Sequence, residues 1–180
     1  MTRRKSSGET LETLAEMALS NARRQMEATR RLNPRVALEI DGRIKWLPDA
    51  PIMDSDPMKD RFFDYLRRLV EQKRATAMIF VTDTWYGEPT EKHKALARDN
   101  PEELKRIALD ADIAKFEKLG LATRVEAITV LVQTPEEVLT LNQQYERTAT
   151  GGIVWNKRQK MKFPQSKWDG RTKMYGVKET

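Results

Sequence analysis

Residues 77–85, Ala77-Met78-Ile79-Phe80-Val81-Thr82-Asp83-Thr84-Trp85, decide the fold. The first five are apolar at every position, so a strand through them is covered on both faces and lies in the middle of a sheet. The chain turns polar at Thr82, so the strand, read over Ala75 to Trp85, leaves the core there.

The neighbouring segments supply the cover. Downstream, Glu88 to Asn100 is a charged loop. Pro101 opens a helix that uses Leu104, Ile107, Ala108, Ala111, Ala114 and Phe116 and ends at Gly120. Val125 to Gln133 alternates Ile128, Val130 and Val132 against Ala127 and Leu131. Thr134-Pro135-Glu136-Glu137 turns the chain, and Val138 to Tyr145 returns as an antiparallel strand. Gly151-Gly152 precedes a short edge strand, Ile153-Val154-Trp155. Upstream, a helix begins at Asp54-Ser55-Asp56-Pro57, with Asp or Ser as cap. Phe62, Leu66, Leu69 and Val70 face one way, with Phe63 and Tyr65 beside them. Arg35–Ile40 and Arg43–Leu47 form a hairpin about Asp41-Gly42. The first helix carries a stripe of Leu11, Leu14, Ala15, Ala18, Leu19, Ala22 and Met26. Ser6 and Glu9 fit a capping box at its start, and Asn33-Pro34 ends it.

The order α-β-β-α-β-α-β-β predicts an α+β fold: a mixed, largely antiparallel sheet of about five strands with helices packed on it, plus a basic C-terminal extension. The second helix crosses one face; the first helix, or a partner chain, covers the other. The expected division is a flexible N-terminus (1–8), one α+β domain (9–155) and a basic, aromatic-containing tail (156–180).

The chain has 180 residues, 39% hydrophobic and 33% charged, enough for one core without staples. With no cysteine and one histidine, thiol nucleophiles, zinc fingers, iron–sulfur clusters and two-histidine mechanisms are excluded. No apolar run reaches the ~20 residues that span a bilayer, so no membrane role is expected. No apolar h-region follows Arg3-Arg4-Lys5, which makes the cytoplasm the expected location.

The net charge of +6 is uneven. Residues 1–31 carry +3, residues 32–146 carry −4, and residues 147–180 carry +7, nine basic against two acidic. In that last segment Lys157, Arg158, Lys160, Lys162, Lys167, Arg171 and Lys173 interleave with Trp155, Phe163, Trp168 and Tyr175. Cations neutralise phosphates and aromatics stack on unpaired bases. The expected function is therefore a non-enzymatic accessory protein that binds DNA or RNA through this segment. The alternatives are a protein-interaction module or homodimer, in which the aromatics dock the segment on its own domain or on an acidic protein, and a hydrolase using Asp83 and Glu126.

The stretch ending Asp83-Thr84-Trp85, followed after a charged insert by Arg124-Val125-Glu126-Ala127, resembles a loosely defined family of small uncharacterised bacterial and phage α+β proteins. In these a strand ends in acidic-x-Trp and the next opens with Arg-x-Glu-Ala. The resemblance covers residues 35–145 and leaves the basic segment outside. It implies an α+β fold and supplies no function, and Asp83 stands where Glu is commoner. If the two strands pair, Asp83 is expected to face Arg124, with Trp85 shielding the strand end. Such a cross-strand pair contributes ~0.2–1 kcal/mol.

Other candidates have plainer readings. His93, flanked by Lys92 and Lys94, reads as a solvated loop histidine without the orienting partner a general base needs. Asp54 with Asp56 is explained by helix capping, Asp110 with Asp112 points to different sides of a helix, and Glu136 with Glu137 sits in a turn. A nuclease-like site would need Asp83, Glu126 and a lysine to converge. No GxxxxGK[ST], GxGxxG or GxSxG occurs, and Gly151-Gly152 reads as a turn. No cofactor, metal or catalytic residue is expected.

Overall fold

The apolar stretch from Ala77 is the third strand of a sheet whose two faces are buried by different helices. The computed structural model describes residues 10–48, 50, 55–109, 113–169 and 172–175. In chain order the elements are α1 (Leu11–Thr29), β1 (Arg35–Ile40), β2 (Arg43–Trp46), α2 (Asp56–Lys73), β3 (Ala77–Pro89), α3 (Glu91–Asp99), α4 (Pro101–Leu109), α5 (Ile113–Lys118), β4 (Ala122–Gln133), β5 (Glu137–Arg147) and β6 (Ile153–Pro164). The strands lie in the order β2-β1-β3-β4-β5-β6, and every pairing is antiparallel.

Alternation along β3 assigns each residue to a face. Ala77, Ile79 and Val81 meet Leu14, Ala15, Ala18, Leu19, Ala22 and Met26 of α1, together with Val130, Val132, Leu139 and Leu141. Met78 and Phe80 point the other way, to Phe63, Leu66 and Val70 of α2. The chain itself thus covers both sides of the central strand, and the cover does not require a partner chain. Truncating one of the large core side chains to alanine costs ~2–5 kcal/mol. The hairpin forms as its sequence predicts: Asp41 (φ 53°) and Gly42 (φ 71°) are both left-handed, and Ile40 pairs with Arg43.

Four expectations are corrected. The sheet has six strands among the described residues, not about five, and no parallel pair. The charged loop after residue 88 contains the end of β3 and then α3, which no fully buried residue anchors. Its start is fixed by Thr90, whose side chain accepts from the backbone N–H of His93, and by an exposed Lys94–Glu91 pair. Of the helix expected from Pro101 to Gly120, the described residues form α4 and α5, on either side of residues 110–112. The basic segment is no extension beyond the sheet: β6 runs through the expected boundary at 155/156, and residues beyond it fold back onto the α2 face. Of the expected helix caps, Ser6, Glu9 and Asp54 lie outside the described residues. Thr10 caps α1, accepting from the N–H of Thr13, and Ser55 precedes α2 without a side-chain cap bond.

A buried glutamine holds the chain beyond β6. Gln133 is fully buried; its amide N–H donates to the Thr172 carbonyl and its carbonyl oxygen accepts from the Met174 N–H at 3.1 Å. The Arg67 Nε donates to the Lys173 carbonyl at 2.9 Å, and the Tyr175 hydroxyl reaches the Ala75 carbonyl. Met174 is buried, and Trp168 and Tyr175 pack against the α2 core.

Candidate functional site

β6 is built as an amphipathic strand with an unusual pair of faces. Arg158, Lys160 and Lys162 recur at spacing two and point to the α1 side; Gln159, Met161 and Phe163 alternate with them. On α1, Glu12 and Glu16 are one turn apart. Lys160 lies 3.3 Å from Glu12, Arg158 pairs with Glu16, and Lys162 lies 2.9 Å from Glu137 on β5. Lys157 is 3.9 Å from Glu88. The Arg158 guanidinium also holds the Glu16 carboxyl below its ordinary range, its hydrogen bond outweighing the partial burial of that group.

The aromatics of the same segment are used inside the fold. Trp155 packs edge-on to Tyr145, donates its indole N–H to Glu27 at 2.7 Å and lies under the Arg23 guanidinium. Phe163 and Trp168 lie against each other. Lys167 and Lys173 have no carboxylate partner among the described residues, and Arg171 lies outside them. The segment expected to reach for nucleic acid therefore spends four of its seven cations on carboxylates of its own chain. Its aromatics contribute to two cores.

The residues singled out around Asp83 do converge, through a partner the sequence did not suggest. Register places Asp83 opposite Ile128 and Arg124 opposite Gly87, so the expected Asp83–Arg124 pair does not form. Arg124 instead stacks on Trp85, 3.9 Å from its ring centroid, and Trp85 remains 47% exposed. Asp83 accepts a hydrogen bond from the Tyr145 hydroxyl at 2.7 Å. Arg147 closes the group: it donates to the Tyr145 oxygen at 3.0 Å, to Glu126 at 3.3 Å and to the Arg30 carbonyl at the end of α1 at 2.9 Å. It also lies 3.7 Å from Asp83. Burial raises the Asp83 carboxyl, against the opposing pull of Tyr145 and Arg147. Burial and the Asp83 carboxylate push the Tyr145 hydroxyl above the phenol range, so it stays a donor. The arrangement ties three strands to the C-terminal end of α1.

The remaining candidates fall into place quickly. His93 lies on α3, not on a loop, and its ring stacks on Phe116 at 5.9 Å. Asp56 is in the first turn of α2 beside Lys59; Asp110 and Asp112 lie outside the described residues. Thr134 organises the turn at Glu136 and Glu137 by accepting from both backbone N–H groups. The N–H groups of Gly151 and Gly152 are taken by the Thr148 carbonyl and hydroxyl, which leaves neither to cradle a phosphate. Among the described residues no three His, Asp or Glu side chains gather as a metal site. No described helix is long and apolar enough to cross a membrane.

One surface was missed in the sequence. α2 carries two apolar stripes. Phe63, Leu66 and Val70 face the sheet, whereas Met58, Phe62 and Tyr65, at spacing four and three, line a cleft of about 470 Å³. Its other wall is Val36, Leu47, Pro48 and Ala50, and Arg61 stands at its lip. Met58 and Tyr65 remain 41% and 57% exposed. The signal was the breadth of the apolar arc on α2, wider than one sheet face needs. Volume and lining fall within the range of binding clefts. Comparison with family models, with curated proteins and with solved structures finds no match.

Proposed function

We propose that this chain is a non-enzymatic binding protein that works by docking a protein partner. The carrying observation is a contrast. The cations and aromatics of the C-terminal segment are largely matched within the fold, while Met58 and Tyr65 on the second apolar stripe of α2 are left exposed beside the cleft. Exposed apolar surface of that kind marks interaction sites more often than an isolated exposed side chain does. Asp83 and Glu126 are both engaged by Arg147, which gives the pair a structural use in joining β3, β4 and β5.

Nucleic-acid binding is retained as a second reading on one observation: residues 147–180 carry +7, and Lys167 and Lys173 lack carboxylate partners among the described residues. Two experiments separate the readings. Residue-resolved chemical cross-linking in lysate of the source cells is expected to yield a protein whose cross-links converge on one face of the chain. Fluorescence anisotropy with labelled single- and double-stranded DNA and RNA, at two salt concentrations, is expected to show only weak binding. Tight, steeply salt-dependent binding that falls in a Lys167→Glu/Lys173→Glu variant would transfer the proposal to nucleic acid.

A further inference from the structure

The α2 cleft carries a cation beside its apolar lining. Of the α2 cations outside the cleft, Lys59 pairs with Asp56 and Arg67 with Asp64 and the Lys173 carbonyl, while Lys73, at the last residue of the helix, has no carboxylate partner among the described residues. Arg61 and Arg68 are unmatched beside the apolar surface. They flank Tyr65 at i, i+4 and i+7, so the three share one side of α2; Arg61 and Tyr65 line the cleft, and Arg68 lies about one turn beyond Tyr65. Both arginines are exposed, and neither has a carboxylate partner among the described residues. Two turns of helix separate them, about 10.5 Å at 1.5 Å per residue.

We propose that the cleft takes an acidic amphipathic helix of the protein partner. This rests on the protein-docking reading above and adds the chemistry of the occupant. Apolar side chains of the incoming helix fill the space between Met58, Phe62 and Tyr65 on one wall and Val36, Leu47 and Pro48 on the other. Carboxylates two turns apart meet Arg61 and Arg68. The stripe runs from Met58 to Tyr65, i to i+7 along α2, which matches the i, i+3/i+4, i+7 anchors of a docked helix. The unmatched cations select acidic over basic partners of the same apolar pattern.

The test uses the full chain and two labelled synthetic peptides. Both carry a leucine stripe at helical spacing; one has glutamates and the other lysines on the flanking positions. Anisotropy titrations should show the glutamate peptide binding at least about tenfold more tightly than the lysine peptide, with that preference reversed in an Arg61→Glu/Arg68→Glu variant. Tyr65→Asp, at an exposed position, should weaken binding by about tenfold or more with the circular dichroism melt unchanged. Equal binding of the two peptides, no binding of either, or binding untouched by the Arg61 and Arg68 changes overturns the proposal. So does a solution mass of twice 20.9 kDa that Tyr65→Asp halves, which would make a second copy the occupant. Equal displacement of the peptide by a free fatty acid would also overturn it, by showing that a small amphiphile suffices. Cross-links converging on a face other than the cleft would sink this inference and leave the protein-docking reading standing. A lysate experiment with no partner would remove that broader reading.

Discussion

Asp83 shows how a residue can be identified from sequence while its role is not. Its place at the end of an apolar run and beside a tryptophan marked it, but a sequence does not state the register of a strand pair. Antiparallel register carries Arg124 past it to Gly87 and Trp85, and the matching cation comes from Arg147, on β5 across β4. The cost of that position is legible in its titration. Burial raises the folded-state carboxyl, so the folded chain holds this proton more tightly than the unfolded chain does. The stability linked to it is fully present below the unfolded pKa and is lost as pH rises through the raised value. Asp83→Asn keeps an oxygen to accept from Tyr145 and removes the half-buried charge. It should match the parent at the acid end of the window and gain on it toward neutral pH, by up to about 1 kcal/mol. Urea midpoints at pH 4, 5, 6 and 8 check this; a difference that stays flat, or runs the other way, removes burial as the dominant influence. Gln133 makes the complementary case. Gln133→Leu fits the apolar surroundings but strands the Met174 N–H and the Thr172 carbonyl. A loss of about 1–3 kcal/mol is expected, with faster proteolysis near the C-terminus as its signature.

At the level of elements, β1 and β2 were read nearly to the residue because alternating aliphatics and Asp41-Gly42 are local signals. β6 was read only as far as Trp155. Its alternation continues, but with Arg158, Lys160 and Lys162 on one face where aliphatics would be expected; the carboxylates that explain Arg158 and Lys160 lie far back in the chain, on α1, and the one that meets Lys162 is Glu137 on β5. Lysines along an edge strand also discourage pairing with another sheet. The charge excess that suggested a nucleic-acid arm thus has a local physical use. Both Arg158 and Glu16 are about half exposed, so their coupling should be modest. A double-mutant cycle of Arg158→Glu, Glu16→Lys and the swapped pair should return ~0.2–1 kcal/mol, smaller at high salt. A coupling of zero at low salt would mean that the β6–α1 match is incidental. Ending the chain at Thr150 is a far larger change. It removes an edge strand together with Met174 and Trp168 from the α2 core, and loss of cooperative unfolding is expected in a denaturant titration.

For the whole molecule, the sheet and its two covering helices form one body, and α3 to α5 make an insertion between β3 and β4 that touches these two strands and joins neither core. The sheet was foreseeable because Ala77 to Val81 needs cover on both faces. The independence of the insertion was not, because amphipathic spacing in Leu104, Ile107 and Phe116 looks the same whether or not a core receives it. In the structure neither α3 nor α4 buries a residue, and Leu109 is 83% exposed. The β3–β4 ladder runs unbroken to Pro89 opposite Ala122. Beyond it, the Thr90 N–H reaches the Leu121 carbonyl, and the Thr90 hydroxyl reaches that of Gly120 at 2.7 Å. The insertion is therefore a lobe carried on the closed end of a hairpin. Amides of α3 and α4 should exchange with deuterium by local opening, orders of magnitude faster than those of β3 and β4, which wait for global unfolding. Replacing residues 91–119 by a short glycine-containing turn should leave the melting temperature within about 5 °C of the parent, because the deleted residues add little to either core. A collapse of the fold on that replacement, or α3 and α4 protection equal to that of the sheet, would show that the lobe packs as part of the main body.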